Sequence, residues 1–562
     1  MMTGFIRRVF TALTGVRSGD RTGRPRPPTA DPFVMRLPIP SASVPPVPPV
    51  QVPEPPADPW RERWAQLETM LRDLDAALGP NPPAPTRRVL FFSTMPAWTD
   101  LSLVTAVVLA GRGCHVDFAW TPYPDIEDKP VSADEWARLT ASGPATAHPR
   151  FRVINLLRVQ PAVATPEMRA EAEASAYTDA QYVTRREEID LAPGTPARAA
   201  FEFRLARNLA TMTALAALAA EHRYDGMITP SGWVLEFGAA YRLARLVGLP
   251  CATLEIHDRR NFIHAGQTVP VLCQDNAAAW RADEPHEYSS KRDLRVRHIL
   301  SGRKSGDWAE YIIRCQTTRP APVEELLQQF GLDPEKRVAL LCANVAHDSV
   351  VLGRSDVFKS HSDWIRRTID LFARRADWQL LIRAHPAERL MEPDESVESA
   401  VREHCAGPLP PNVRLILPDN PVNTYALMSM AHVGLVHSST AGLEMASSGL
   451  PVVVAGMAHY AGKGFTGDPR TPDEYATIVE EFMSGPARTA PRVIELARCY
   501  LDLYFNALPF PFPWVIGQPD DLLTWPVGRV LSPEGEARFG RTFDFLAGLP
   551  VPIDSRLQAI AE

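Results

Sequence analysis

The chain has 562 residues, enough for two or three domains with large cores. Its 45% hydrophobic and 22% charged residues are those of an ordinary globular protein, and a formal net charge of -7 argues against a nucleic-acid binder. Seven scattered cysteines without a CxxC pair indicate neither a disulfide framework nor a zinc site, and no apolar stretch approaches the roughly 20 residues that span a bilayer.

The expectation is a cytoplasmic chain with buried thiols, unless its amino terminus tethers it. There, MMTGFIRRVFTALTGVR brings Phe5, Ile6, Val9, Phe10 and Leu13 near one helical face, with Arg7, Arg8 and Arg17 available to anionic lipid. It reads either as a frayed terminus or as a peripheral anchor at the inner face of a membrane. Residues 1–59, dense in proline from about residue 21, are expected to form a disordered leader, because such a composition buries no core. Residues 60–80 carry an amphipathic helix that would pack on the body or on a second copy.

The alternation of strands and helices then begins. RRVLFFST, CHVDFAW, FRVINLL, YDGMITP and CATLEI read as strands, separated by helices that include a long alanine-rich one over about 199–220. This pattern implies a parallel, doubly wound sheet. Residues 85–335 are therefore read as an amino-terminal Rossmann-like domain plus linker, the linker lying in the charge-rich stretch 278–334. A second series occupies 336–507: strands RVALLCAN, WQLLIRAH and VRLILP, the helix NTYALMSMA, and then the unit 433–455. In that unit a buried strand ends in His437-Ser438-Ser439-Thr440, a helix closes at Gly449, and a second buried strand follows. Residues 508–562 lack this rhythm and are expected to pack across the domains. The fold class is α/β, with two Rossmann-like doubly wound domains facing a cleft.

Open α/β sheets bind ligands beyond the carboxyl ends of their strands. The Ser438-Ser439-Thr440 turn offers hydroxyls and free helix N–H groups to a phosphate, although Ser439 or Thr440 would also serve as an ordinary cap. His385-Pro386 closes the strand WQLLIRA, with Arg383 on the same strand face; the imidazole would point into the cleft or simply close a turn. Glu444 lies one residue too far from Thr440 for a capping box and reads as an acid facing the site or as an exposed helix acid. Asn344 and Asp348 follow the strand RVALLCAN and are expected to line the same pocket. Asp419 and Asn423 read as caps, Glu388 as a solvent or first-turn residue, and Met428 and Met430 as core.

For a general base the amino-terminal half offers Glu255, His257 and Asp258 after CATLE, with Asp100 as a further candidate. Glu255 and His257 are expected to share a cleft and tune one another, against the plain alternative of a polar loop. Gly462 to Gly467 matches GxGxxG but neither follows a strand nor opens a helix, so it reads as a flexible loop. Asp73-Leu74-Asp75 lies in the leading helix, so no metal-bridged diphosphate site is expected, and GxSxG is absent.

RAHPAE (383–388), DNPVNTYALMSMA (419–431), HSSTAGLEMASSGLPVVVAG (437–456) and HYAGKGFT (459–466) together resemble bacterial capsule polysaccharide biosynthesis proteins. That group includes transferases of 3-deoxy-manno-octulosonic acid (Kdo) that use a CMP-activated sugar. The resemblance covers about residues 337–475, and the same motifs are similar to teichoic-acid transferases that use CDP-alditols. It implies a metal-independent GT-B glycosyltransferase without a cofactor, taking a nucleotide-sugar donor and a glycan or glycolipid acceptor. Arg383, His385, Pro386, Ser438, Ser439, Thr440, Glu444 and Asn344 would bind the nucleotide. His385, protonated, would stabilise the leaving phosphate, and Glu444 would accept a ribose hydroxyl. The amino-terminal half would hold the acceptor, with Glu255, His257 or Asp258 in catalysis. Alternatives are a CDP-alditol phosphotransferase, a UDP-sugar 2-epimerase and a non-catalytic scaffold.

Overall fold

Strands buried on both faces must lie inside a layered sheet, and the apolar runs of this chain do so twice. The computed structural model describes residues 34–35, 60–123, 133–144, 147–267, 269–273, 275–305, 318–391, 395–515, 520–553 and 556–557. The anchor and nearly all of the leader expected from the sequence lie outside the described residues.

The strands are β1 (Val34–Met35), β2 (Arg87–Thr94), β3 (Cys114–Thr121), β4 (Phe151–Asn155), β5 (Gly226–Pro230), β6 (Cys251–Ile256), β7 (Phe262–Gly266), β8 (Arg337–Cys342), β9 (Trp378–Arg383), β10 (Val413–Ile416), β11 (Val433–Val436), β12 (Val452–Val454) and β13 (Phe510–Pro511). A seven-stranded sheet has the order β13-β7-β6-β5-β2-β3-β4, and a six-stranded sheet the order β1-β10-β9-β8-β11-β12. The second sheet is parallel throughout. The first departs from the expected pattern at one edge, where β7 and β13 run antiparallel. Two α/β sheets facing a shared cleft form a GT-B-like architecture.

Other boundaries differ from the sequence expectation for local reasons. The helix after β2, Pro96–Gly111, starts at a proline, which fits its first turn after Met95 reverses the chain at φ 64°. The stretch taken as linker forms the helices Ala277–Ala282, Ser290–Ser305 and Val323–Phe330, whose Trp280, Val296, Ile299, Leu326 and Phe330 join the core of the carboxyl-terminal sheet. Beyond residue 508 the chain returns to the amino-terminal sheet as β13 and the helix Pro533–Leu546, while Ile553 and Leu557 touch the other core. Among the described residues no helix is long and apolar enough to cross a membrane. The described cysteines are free, and Cys114, Cys251, Cys342 and Cys499 are buried.

The leading helix, Arg61–Leu78, packs on the body of its own chain. Trp64, Leu67, Leu71 and Leu74 face inward at its helical spacing. The Trp60 and Trp64 rings lie 4.4 and 4.8 Å from that of Trp120 on β3. Arg63 donates to Asp100 at 2.9 Å, which assigns Asp100 to this interface and removes it as a candidate base. Trp64→Ala should lower the unfolding free energy by about 3–5 kcal/mol, since it opens a cavity in an aromatic cluster. Urea denaturation followed by far-UV circular dichroism checks this, and a loss below about 1 kcal/mol would mean the helix is only loosely docked.

Candidate active site

Parallel registry decides which residues meet. Cys342, at the end of β8, pairs with Arg383 of β9 on one side and Val436 of β11 on the other. The next residues of the three strands therefore leave the sheet side by side: Asn344, His385-Pro386 and Ser438-Ser439-Thr440. All of them line a cavity of about 390 Å³ that is closed on its far side by Glu255, Ile256, Asp258 and His264 of the amino-terminal half. Arg383, Glu444 and Asp348 line it too, as the sequence led us to expect.

The turn of β11 is held by backbone and side chain together. Ser438 N–H donates to Asn344 Oδ1 at 3.4 Å, Ser439 Oγ accepts from Ala441 N–H at 3.3 Å, and Tyr460 donates to the Ser439 carbonyl at 2.6 Å. Gly442 is required here because a Cβ would lie 2.3 Å from the Tyr460 hydroxyl oxygen. Thr440 occupies the cap position of the helix Ala441–Ser447 in helical conformation and makes no capping hydrogen bond with its side chain. Its hydroxyl is not committed to the cap role that the sequence allowed.

Burial pushes the His385 pKa down to about 4, and Arg383 reinforces the shift. The ring is therefore neutral at pH 7. Nδ1 accepts from Ala387 N–H at 3.1 Å, which leaves the proton on Nε2. This corrects the expectation of a protonated histidine: His385 offers a neutral N–H donor. Arg383, 3% exposed, donates to the carbonyls of Leu417 at 2.6 Å and Asn420 at 3.0 Å, and burial lowers its pKa to about 10. It braces the loop after β10 while lining the cavity. Glu388 does begin a short helix, but it is buried, not solvent-facing; burial raises its pKa to about 8.

Glu444 is buried and paired. Arg303 donates to its Oε1 at 2.5 Å, the Tyr425 hydroxyl hydrogen-bonds to the pair, and Arg303 also lies 3.7 Å from Asp258. The guanidinium thus joins a carboxylate from each half. Arg354 is a second bridge, donating to the carbonyls of Leu272 and Cys273 in the amino-terminal half and of Met457 in the other.

The candidate bases separate. Glu255 lines the cavity; its Oε1 accepts from Ile256 N–H at 3.1 Å, and its buried Oε2 has no hydrogen-bond partner among the described residues. Burial raises its pKa to about 8, and Asp348 adds to the rise. Asp258 lines the cavity mouth with its side chain 52% exposed. His257 is not among the lining residues: it is buried, its Nδ1 accepts from Arg259 N–H at 2.8 Å, and its ring packs on Phe262, His264 and Phe505. Glu255 lines the cavity, whereas His257, one residue past the end of β6, packs against Phe262 and Phe505, so the two do not share the site, contrary to expectation. The histidine that accompanies Glu255 is His264, its cross-strand partner, kept neutral by burial with a pKa pushed down to about 4.

Sequence reasoning missed Arg303, Arg354, Tyr425, His264, His459 and Tyr504, all of which line the cavity. Arg303 lay in the supposed linker. His459 was visible only as part of HYAGKGFT. The glycine-rich segment beyond it is pinned, not flexible: Asp468 accepts from Gly462 N–H at 2.9 Å and Thr466 Oγ1 at 2.8 Å. Among the described residues no group of three or more His, Cys, Asp or Glu side chains is placed to hold a metal ion.

The pairing of Arg303 with Glu444 makes a stability claim. Arg303→Met leaves a buried carboxylate without its cation and should cost about 3–5 kcal/mol, while adding Glu444→Gln should recover most of the loss. Urea melts of the single and double variants check this; equal losses in both would contradict the pairing.

Residues 303–480 match the family model described as capsule polysaccharide biosynthesis protein. No curated protein matches the chain. Among solved structures, it is similar to the β-Kdo 2,4-transferase of Thermosulfurimonas dismutans KpsC at 14% identity, over 55% of this chain and 88% of that one, with a TM-score of 0.34. The β-Kdo 2,7-transferase of the same protein gives 13% identity, 54% and 83% coverage, and a TM-score of 0.31. An α,α-trehalose-phosphate synthase (UDP-forming) from Burkholderia vietnamiensis gives 12%, 81% and 98%, and 0.29. Residues 303–480, which include strands β8 to β12, thus resemble the capsule polysaccharide biosynthesis family in the region that carries the motifs read from the sequence.

Proposed function

We propose that the chain is a glycosyltransferase that moves a sugar from a cytidine-nucleotide donor, CMP-linked, onto a glycan or glycolipid of a surface polysaccharide. One observation carries this reading: the ends of β8, β9 and β11 bring Asn344, His385 and Ser438 to Thr440 into one cavity whose opposite wall holds Glu255. The family match over 303–480 supports it.

The donor phosphate lies against the Ser438, Ser439 and Thr440 hydroxyls and accepts the His385 Nε2–H. Glu444, fixed by Arg303, accepts a ribose hydroxyl. As the bond from the anomeric carbon to the phosphate oxygen breaks, its electron pair passes to the nucleotide. The hydroxyls and the neutral imidazole stabilise the charge that collects there. Glu255 takes the proton of the attacking acceptor hydroxyl, with Asp258 at the mouth as the second carboxylate in reach of that side. No metal or cofactor enters this sequence of steps.

A thermal-shift screen with CMP, CDP, UDP, GDP and ADP tests the donor class. A cognate nucleotide at ~100 Kd adds ~2.7 kcal/mol, so CMP should shift the melting point strongly. His385→Ala with Ser439→Ala should abolish that shift without unfolding the chain. A shift with UDP alone contradicts the cytidine assignment and favours the 2-epimerase alternative. Normal CMP binding by the double variant contradicts the site.

Glu255 must be ionised to act as a base. Because its pKa is raised to about 8, turnover should climb as pH rises through about 8 and level off above it. Glu255→Gln should lower turnover by a factor on the order of 10² to 10⁴ with CMP affinity unchanged. A pH profile already flat between 6 and 9 in the native chain would move the base role to Asp258.

A further inference from the structure

Behind the Ser438 turn lies a set of polar groups, centred on Glu187, His361 and His437, that do not line this cavity. Glu187 follows the helix Pro166–Thr184 of the amino-terminal half, where Arg185 turns the chain at φ 58°. Its carboxylate reaches across to the carboxyl-terminal half and accepts His361 N–H at 2.7 and 2.8 Å and Ser362 N–H at 3.4 Å, at the start of the helix His361–Ala373. Its own N–H donates to Glu395 Oε2 at 2.9 Å, and Glu395 Oε1 accepts Ser362 Oγ at 2.7 Å.

Two paths lead from Glu187 to the turn. Along one, Ser355 Oγ donates to Glu187 Oε1 at 3.4 Å and lies 2.9 Å from Nε2 of His437, the residue before Ser438. Along the other, His361 Nε2 accepts Asn344 N–H at 3.1 Å, and Asn344 Oδ1 accepts Ser438 N–H at 3.4 Å. The two paths close a ring: Glu187, His361, Asn344, Ser438, His437, Ser355 and back. Asn344 N–H fixes His361 Nε2 as an acceptor. Ser355 Oγ bridges Glu187 Oε1 and His437 Nε2, and burial raises the Glu187 pKa to about 8. Both imidazoles are buried and neutral, His437 with a pKa pushed down to about 4. Gly456 allows the His437 ring to lie on the backbone, since a Cβ there would sit 2.4 Å from His437 Cε1.

We propose that Glu187 is a positioning residue for the nucleotide side of the cavity: it reaches from the amino-terminal half to hold the Ser438 turn and the Asn344 loop in register. That the positioned groups bind a nucleotide rests on the proposed function; that Glu187 positions them rests on the ring alone. Neither Glu187, His361 nor His437 lines the cavity, so Glu187 acts through Ser438 and Asn344. The consequence is a coupling of the two halves, because a residue of one orders the phosphate-facing turn of the other.

Hydrogen exchange of the full chain without ligand, read by mass spectrometry, tests this. Glu187→Ala should speed exchange about tenfold in peptides covering 344–347 and 437–441 and leave β2 and β3 unchanged. Glu187→Gln, which keeps one oxygen and the shape of the protonated acid, should largely restore protection. Should Glu187→Ala fail to fold, Ser355→Ala cuts only the His437 path and decides by the same measurement. Unchanged protection in a folded variant overturns the proposal. A CMP titration separates the two readings. Lost protection in a chain whose native form binds no CMP leaves Glu187 in its role and removes the nucleotide. Unchanged protection with normal CMP binding removes Glu187 and keeps the nucleotide.

Discussion

The parallel registry of β8 with β9 and β11 is the constraint on which the site depends. Three adjacent parallel strands end at one level, so three separate sequence motifs, far apart along the chain, reach one cavity. Slipping any of these strands by one residue would turn its side chains to the opposite face and disperse the cluster. The sheet that carries this registry is apolar on both faces: Leu340, Leu341, Leu380, Leu381, Leu435 and Val453 are fully buried. The core specifies the site without contributing a polar atom to it.

Electrostatics then follow from burial more than from charge pairing. His264, His385 and His459 line the cavity as neutral rings, because desolvation disfavours their cations. Glu255 is driven the same way and holds its proton past neutrality. The cations that remain, Arg303, Arg354 and Arg383, are tied to Glu444 or to backbone carbonyls and act as struts. A cavity of this kind presents many neutral N–H and O–H donors and few committed charges. An incoming phosphate would bring the dominant charge and meet these neutral donors.

The fold was legible because buried parallel strands and glycine-terminated helices announce themselves: the elements around 433–455 agree with their sequence reading nearly residue for residue. Local motifs were legible for the same reason, and Asn344, His385, Ser438 and Glu444 do meet. Long-range partners were not. Nothing in the sequence near Arg303 shows that a helix in a charge-rich stretch folds back onto Glu444, since that pairing is created by tertiary packing. The antiparallel turn of β7 hid in the polar segment after CATLEI, so His264, the cross-strand neighbour of Glu255, went unseen. Protonation states were beyond reach too: they depend on burial, which no single residue reports.

The most direct measurement is a crystal structure of the full chain with CMP. The account predicts the phosphate within about 3 Å of the Ser438, Ser439 or Thr440 hydroxyls and of His385 Nε2, with the ribose toward Glu444. A nucleotide bound elsewhere, or bound here with its phosphate turned away from the β11 turn, would contradict it.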